Sequence, residues 1–386
     1  MKSNDFVMKK NKKIIPIRIR EARLARGLTL TELAERVGVT KQAISKYELG
    51  AVNISSTILM RLVDVLNFPI EFFFKYKENV NESLSMSPVF FRSPSLAKRT
   101  KDAMEQRMDF VCEIVFYLKK YINFPKVDIC NLDNGEDKEF LDDIEIEAAA
   151  LKLREYWQLG EKPISNLTNL LLRKGFIISK ADLYNEKVDA YSRWISGMPL
   201  IVIGSEKDTA VRYRFSLAHE LGHLVLHQYL EDSEVKKNHK QIEKEANRFA
   251  SAFLLPSQSF SNDIYSTSLD SFVYLKKKWK VSISAMIRRC YDLDLITDLQ
   301  YTNMNRYLNV KQWKTNEPLD DVLEFEKPTM IKEAFDLLIN NNIVSPIEIV
   351  EYIALNKEEI EELCFLPEGY FQNLIANITK PNLKLI

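Results

Sequence analysis

The chain of 386 residues has four histidines, at 219, 223, 227 and 239, all inside one stretch of 21 residues. Histidines that only fill cores would be scattered, so the cluster points to imidazoles used together. His219 and His223 stand four apart in the run HELGH. On a helix that spacing turns a side chain by about 40 degrees and raises it one turn, so both rings leave one face and can share a cation. Glu220, beside them, is placed to hold a water and take its proton as a general base rather than to ligate. A catalytic zinc needs a third protein ligand, anionic or imidazole, and an open fourth position. The next helical stretch, QIEKEANRFASAFLLP, offers Glu243, which can complete a His-His-Glu set. Asn247, one turn on, can hydrogen-bond a ligand from behind. Glu245 competes, but it points about 200 degrees away from Glu243, so only one of them faces the metal. His227 lies about 12 Å along the axis from His219 and reads as packing or as a partner of a ligand. His239, in EVKKNHKQ, reads as solvated. The chemistry of such a set is metal-assisted hydrolysis. Tyr213, Arg214 and Tyr191 are candidates for a further oxyanion donor.

Elements must hold these residues in place. FIISKADL (176–183) and VDAYSRWISGMPLIVIG (188–204) carry the β-branched and aromatic residues of strands, with Ser196-Gly197 as the turn. A substrate could lie as an added strand along the edge of that hairpin. Helices are expected near 101–123, 144–157, 163–174, 210–229, 241–254 and 268–279, so the class is α+β, mostly helical. Apolar residues make up 46% of the chain, enough to build real cores, and formal net charge is zero, which argues against a general polyanion-coating protein. Four unpaired-looking cysteines at 112, 130, 290 and 364, no apolar stretch of membrane-spanning length and no signal-peptide pattern lead to the expectation of a soluble, cytoplasmic protein.

A second set of residues points to nucleic acid. Residues 1–30 hold nine Lys or Arg and two acids. Thr29 and Glu32 form a capping box, Leu30, Leu33, Ala34 and Val37 follow helical spacing, and Gly38 permits a left-handed stop. Thr40 caps a second short helix whose Ala43, Ile44 and Tyr47 face inward. Two short helices about a tight glycine turn are the helix-turn-helix plan, with the second sized for a major groove.

The stretch RIREARLARGLTLTELAERVGVTKQAISKYELG resembles the XRE-type, phage-repressor-like helix-turn-helix family. That resemblance implies that Thr40, Lys41, Gln42, Ser45 and Lys46 face a double-stranded DNA operator. Gln42 would read an adenine edge and the lysines would meet phosphate or guanine. The family often carries Gln near the start of its first motif helix, where this chain has Leu30. HELGHLVLH followed by EKEANRFASAFLLP resembles the ImmA/IrrE family of metallo-endopeptidases. That resemblance implies a zincin-like, gluzincin-type domain with His219, His223 and Glu243 as zinc (Zn2+) ligands, Glu220 as general base and Asn247 behind a ligand. It also implies a repressor protein as the cleaved partner, so that silenced genes are switched on. The alternative is a non-cleaving transcription factor or antitoxin-like regulator that binds a repressor or toxin protein around a structural metal site. Either leaves room for a homodimer and none for a membrane.

The expected division is a basic arm at 1–13, the helix-turn-helix domain at 14–77, and a linker at 78–143 with an aromatic anchor at Phe90 and Phe91 and an amphipathic helix. The peptidase-like domain follows at 144–260. A helical C-terminal region occupies 261–386, whose last part, from 315, reads as a sensory or oligomerising module.

Overall fold

The computed structural model describes residues 13–76, 87–91, 96–131, 140–181, 189–204 and 209–379. The basic arm, save Lys13, lies outside them. Helices α1 (Pro16–Ala25), α2 (Leu30–Val37), α3 (Lys41–Glu48) and α4 (Ser56–Leu66) come first, then strand β1 (Phe90–Phe91) and helix α5 (Lys98–Lys119). A mixed stretch follows: α6 (Asp143–Tyr156), α7 (Leu167–Arg173), β2 (Ile177–Ala181), β3 (Ala190–Ile195), β4 (Met198–Gly204), α8 (Ala210–Leu226) and α9 (Asp232–Leu254). The remaining helices are α10 (Ser257–Asn262), α11 (Leu269–Trp279), α12 (Ile283–Asp292), α13 (Asp298–Val310), α14 (Met330–Asn340), α15 (Pro346–Ile353), α16 (Lys357–Leu363) and α17 (Tyr370–Thr379). The class is α+β and mostly helical, as expected. No helix among the described residues is long and apolar enough to cross a membrane.

The chain forms two compact units, and they do not follow the expected linear division. The first gathers residues from 1–80, 96–122 and 331–386. Its motif helices start and stop as the sequence dictates. Thr29 and Glu32 form a reciprocal capping box on α2, Gly38 ends it at φ 75°, and the Thr40 hydroxyl accepts from the Ala43 N–H to start α3. Leu33, Ala34, Val37, Ile44 and Leu62 are buried between the helices. Arg23 forks onto the Glu48 carboxylate at 2.6 and 2.9 Å and ties α1 to the end of α3. Helix α5, expected in a linker, belongs to this unit. Arg18 of α1 donates to both oxygens of Glu113 at 2.7 and 3.1 Å, and Phe110 packs edge-on against Phe68 and Phe72. The last four helices join it as well. Arg26 forks onto Glu359 at 2.9 and 3.0 Å, and Tyr117 stacks on Tyr352 at 4.2 Å.

The second unit gathers residues from 81–95 and 123–330. Its sheet has the order β1-β3-β4-β2, with β3 antiparallel to both β1 and β4, and β2 parallel to β4. The turn between β3 and β4 places Ser196 at φ 51° and Gly197 at φ 73°, the double positive φ of a tight hairpin. Helix α8 packs against β3 and β4, and α9 against α8 and α6. Residues expected to open a separate C-terminal region are fastened here instead, because carboxylates from the 311–329 stretch cap helices of this unit. Glu317 accepts from the Ile283 and Ser284 N–H groups at 2.7 and 3.0 Å and from Lys276. Glu326 accepts from the Leu167 and Thr168 N–H groups at 2.7 and 3.1 Å and holds Arg214.

Candidate functional site

Two helices build the site, α8 with HELGH and α9 with the following acidic stretch. Helix α9 starts earlier than expected, at Asp232, with a break at Asn238 (φ −111°, ψ 17°). Gly222, mid-helix in HELGH, sets their approach. A Cβ there would stand 3.2 Å from both the Cα and the carbonyl oxygen of Ala246, tighter than ordinary packing. Glycine inside a helix costs about 1 kcal/mol against alanine, so its placement here marks a close backbone crossing. This role was not assigned from sequence, although the residue type carried the signal.

One turn before Ala246, Glu243 meets the histidines. Its carboxylate oxygens stand 3.3 Å from His219 Nε2 and 3.2 Å from His223 Nε2, and the two Nε2 atoms are 3.0 Å apart. Ligands about 2.0–2.1 Å from a tetrahedral zinc stand roughly 3.3 Å from one another, so the spacing suits such an ion. His219, His223 and Glu243 form one group of potential ligand atoms, all within 4.8 Å of each other. Glu245 points elsewhere, as its direction on the helix requires.

The groups behind the histidines fix their tautomers. Asn247 Nδ2 donates to the Glu243 carbonyl at 2.7 Å, which leaves its Oδ1 to accept from His219 Nδ1 at 3.1 Å. His227 Nε2 donates to Glu245 Oε2 at 3.1 Å, so its Nδ1 accepts from His223 Nδ1 at 3.1 Å. Gln241 holds the other Glu245 oxygen at 2.8 Å. These tautomers are assigned from the network, and they leave both Nε2 lone pairs aimed at one point beside a carboxylate. Two lone pairs 3.0 Å apart repel. A cation between them turns the repulsion into binding. The Glu245–His227 relay is a feature that spacing alone did not reveal.

Burial sharpens this electrostatic picture. His219, Glu220 and His223 are 2, 2 and 1% exposed. Burial, with smaller contributions from neighbours, pushes the His223 pKa down to about 3. The Phe90 ring stacks on His223 at 4.8 Å with 4° between planes. His239 is not simply solvated: it is half-buried, and its Nε2 donates to the Phe91 carbonyl at 2.7 Å.

The three candidate oxyanion donors are all buried. Arg214 is bound to Glu326 and the Ile164 carbonyl, Tyr213 is buried against Phe325, and Tyr191 stacks on Phe91. In the other unit, α3 presents Lys41, Gln42 and Lys46 to solvent, with Ser45 half-buried and Ile44 turned inward. Thr40 is exposed, and its hydroxyl serves as the helix cap.

Comparison with known proteins matches residues 19–73 to the helix-turn-helix family model and residues 173–291 to the peptidase family model described as the IrrE N-terminal-like domain. An uncharacterized HTH-type transcriptional regulator of Sinorhizobium medicae is 38% identical over 58 residues, 15% of this chain and 42% of the relative. Another, of Rickettsia conorii, is 35% identical over 81 residues, 21% of this chain and 64% of the relative. The chain thus spans less than two thirds of the curated relatives it matches.

Proposed function

Because the chain joins a helix-turn-helix domain of XRE type to an IrrE N-terminal-like peptidase domain, we propose that it is a cytoplasmic transcriptional regulator carrying a zinc-dependent endopeptidase. Its substrate is a partner repressor or similar protein, whose cleavage releases silenced genes. The observation that carries this reading is the convergence of the His219 and His223 Nε2 atoms and the Glu243 carboxylate on one point. His219, His223 and Glu243 would hold the zinc, which when bound supplies a Lewis acid that acidifies water and polarises a carbonyl. Glu220 takes the proton from the attacking water and returns it to the leaving amine. Asn247 and His227 hold the ligand rings in the tautomers that ligation needs. Thr40, Lys41, Gln42, Ser45 and Lys46 form the DNA-facing side of α3.

The test compares two substitutions against a co-encoded repressor. Glu220→Gln keeps shape and zinc but removes the base, so zinc content stays near one per chain and cleavage falls about 100-fold or more. Glu243→Gln weakens a ligand, so zinc is lost along with cleavage. Wild-type cleavage by the Glu220→Gln protein would overturn the mechanism. The burial of Glu220, at 2% exposure, favours a second reading, a regulator that holds its partner around a structural metal without cutting it. Equal partner binding by wild type and Glu220→Gln, with no cleavage by either under inducing conditions, selects that reading.

A further inference from the structure

The edge of β3, the hairpin edge suited to an incoming peptide, is already filled by the chain itself. Residues 87–91 run antiparallel along it, with Phe90 opposite Ser192 and Phe91 opposite Tyr191. The Trp194 N–H donates to Ser87 Oγ at 2.9 Å, and Arg193 Nε donates to the Ser87 carbonyl at 2.8 Å. Alternation along a strand sends the two aromatic rings to opposite faces. Phe91 stacks on Tyr191, while Phe90 lies flat on the ring of His223 and packs with Val235 and Ile242 of α9, at 1% exposure. Phe90 therefore touches one of the three converging ligand residues directly. The strand lies within residues 81–95 of the second unit, a stretch separated in sequence from the rest of that unit at 123–330.

Main-chain pairing along an edge demands no particular sequence, whereas the pocket that receives an alternate side chain does. We propose that the β3 edge together with the Phe90 pocket over His223 is the substrate-strand site, and that residues 87–91 occupy it in competition with the substrate. The partner it accepts presents an extended segment with a bulky aromatic side chain in the Phe90 position. This rests on the peptidase reading above. A tethered strand competes at an effective concentration of order millimolar, so a free peptide binds weakly until the resident strand is weakened.

The experiment measures binding, not cleavage. Full-length, zinc-loaded protein carrying Glu220→Gln is titrated with labelled peptides of sequence MSPVFFR, which copies residues 86–92, and MSPVAFR. Adding Phe90→Ala should tighten binding of the first peptide at least tenfold and leave the second weak. Circular dichroism reports whether that variant folds. If it does not, Ser87→Ala, which removes the hydroxyl's hydrogen bonds to the Trp194 N–H and the Pro88 carbonyl, should tighten the first peptide about two- to threefold. Unchanged binding in a folded Phe90→Ala protein, unchanged binding in Ser87→Ala where Phe90→Ala is unfolded, or equal affinity for the two peptides overturns the proposal. Peptide binding as described, with no cleavage by protein that retains Glu220, would sink the peptidase reading and leave the strand site standing. Cleavage of a partner at a rate indifferent to Phe90→Ala would do the reverse.

Discussion

The Arg18 cluster of the first compact unit and the histidine cluster of the second are both buried, and they are balanced differently. In the first, Arg18 is fully buried and pairs with Glu21 at 2.9 Å and Glu113 at 2.7 Å, while Lys75 reaches Glu113 at 3.0 Å. Two cations meet two carboxylates. Burial alone would lower the Arg18 guanidinium, but Glu113 and Glu21 together raise it. Burial alone would raise the Glu113 carboxyl, but Arg18 and Lys75 hold it below its ordinary value. In the second cluster, the described ion-pair partners of Glu243 and Glu245 are histidines only. In the network as assigned, each of those histidines keeps a lone pair on one ring nitrogen. A cluster with both signs present is complete as a brace. A cluster of lone pairs and carboxylates is complete only with a cation, and this difference separates a brace from a candidate metal site.

The largest expected effect tests the unbalanced cluster. His219→Ala or His223→Ala should reduce bound zinc from about one per chain to background, measured by elemental analysis after gentle purification. Asn247→Ala, which removes the acceptor behind His219 and the bond to the Glu243 carbonyl, should weaken zinc about 10- to 100-fold. Wild-type protein that takes up no zinc on titration would remove the distinction between the clusters.

Next comes the balanced cluster. Glu113→Gln leaves Arg18 buried without its main anion and should cost about 3–5 kcal/mol, read by denaturant or thermal unfolding. The sign with pH follows from the lowered Glu113 pKa. Its stabilisation is present above the ordinary carboxylate value and is lost as pH falls through the folded value. Wild type should therefore lose stability on acidification more steeply than Glu113→Gln. Parallel curves would show that the pair contributes no more than a surface one.

These two clusters were not equally legible in the sequence. His219, His223 and Glu243 announce themselves because two i, i+4 pairs on successive helices need only one packing contact to meet, and Gly222 makes it. The tight turns at Gly38 and Ser196-Gly197 were legible for a similar reason, since the backbone there admits few residues. Arg18 and Glu113 stand 95 positions apart, and nothing local in either marks the other. Helix α5 therefore reads as a linker until it is seen against Phe68 and Phe72. Glu317 and Glu326 were invisible for the same reason: a carboxylate that caps a distant helix looks like a solvated one. Phe90 was read as an anchor, but strand addition by so short a segment has no period to detect.

The smallest effect concerns the exposed face of α3, where neither burial nor pairing amplifies a charge. Lys46 is exposed, and no ion pair is described for it. If it meets phosphate, Lys46→Ala in the full chain should weaken operator binding about equally on all sequences and reduce the salt slope of log K by about one. Gln42→Ala should act differently. If Gln42 meets a base edge, the substitution costs about 1–3 kcal/mol on the preferred operator and relaxes preference at one position, with little change in slope. Raising salt screens this face but barely touches the two buried clusters. Unfolding of Glu113→Gln relative to wild type should thus be nearly salt-independent, whereas the DNA affinity of wild type falls steeply. If Lys46→Ala leaves both affinity and slope unchanged while Gln42→Ala abolishes binding, α3 reads bases without a phosphate contact from Lys46. If neither substitution matters, the exposed face of α3 is not the DNA-facing side.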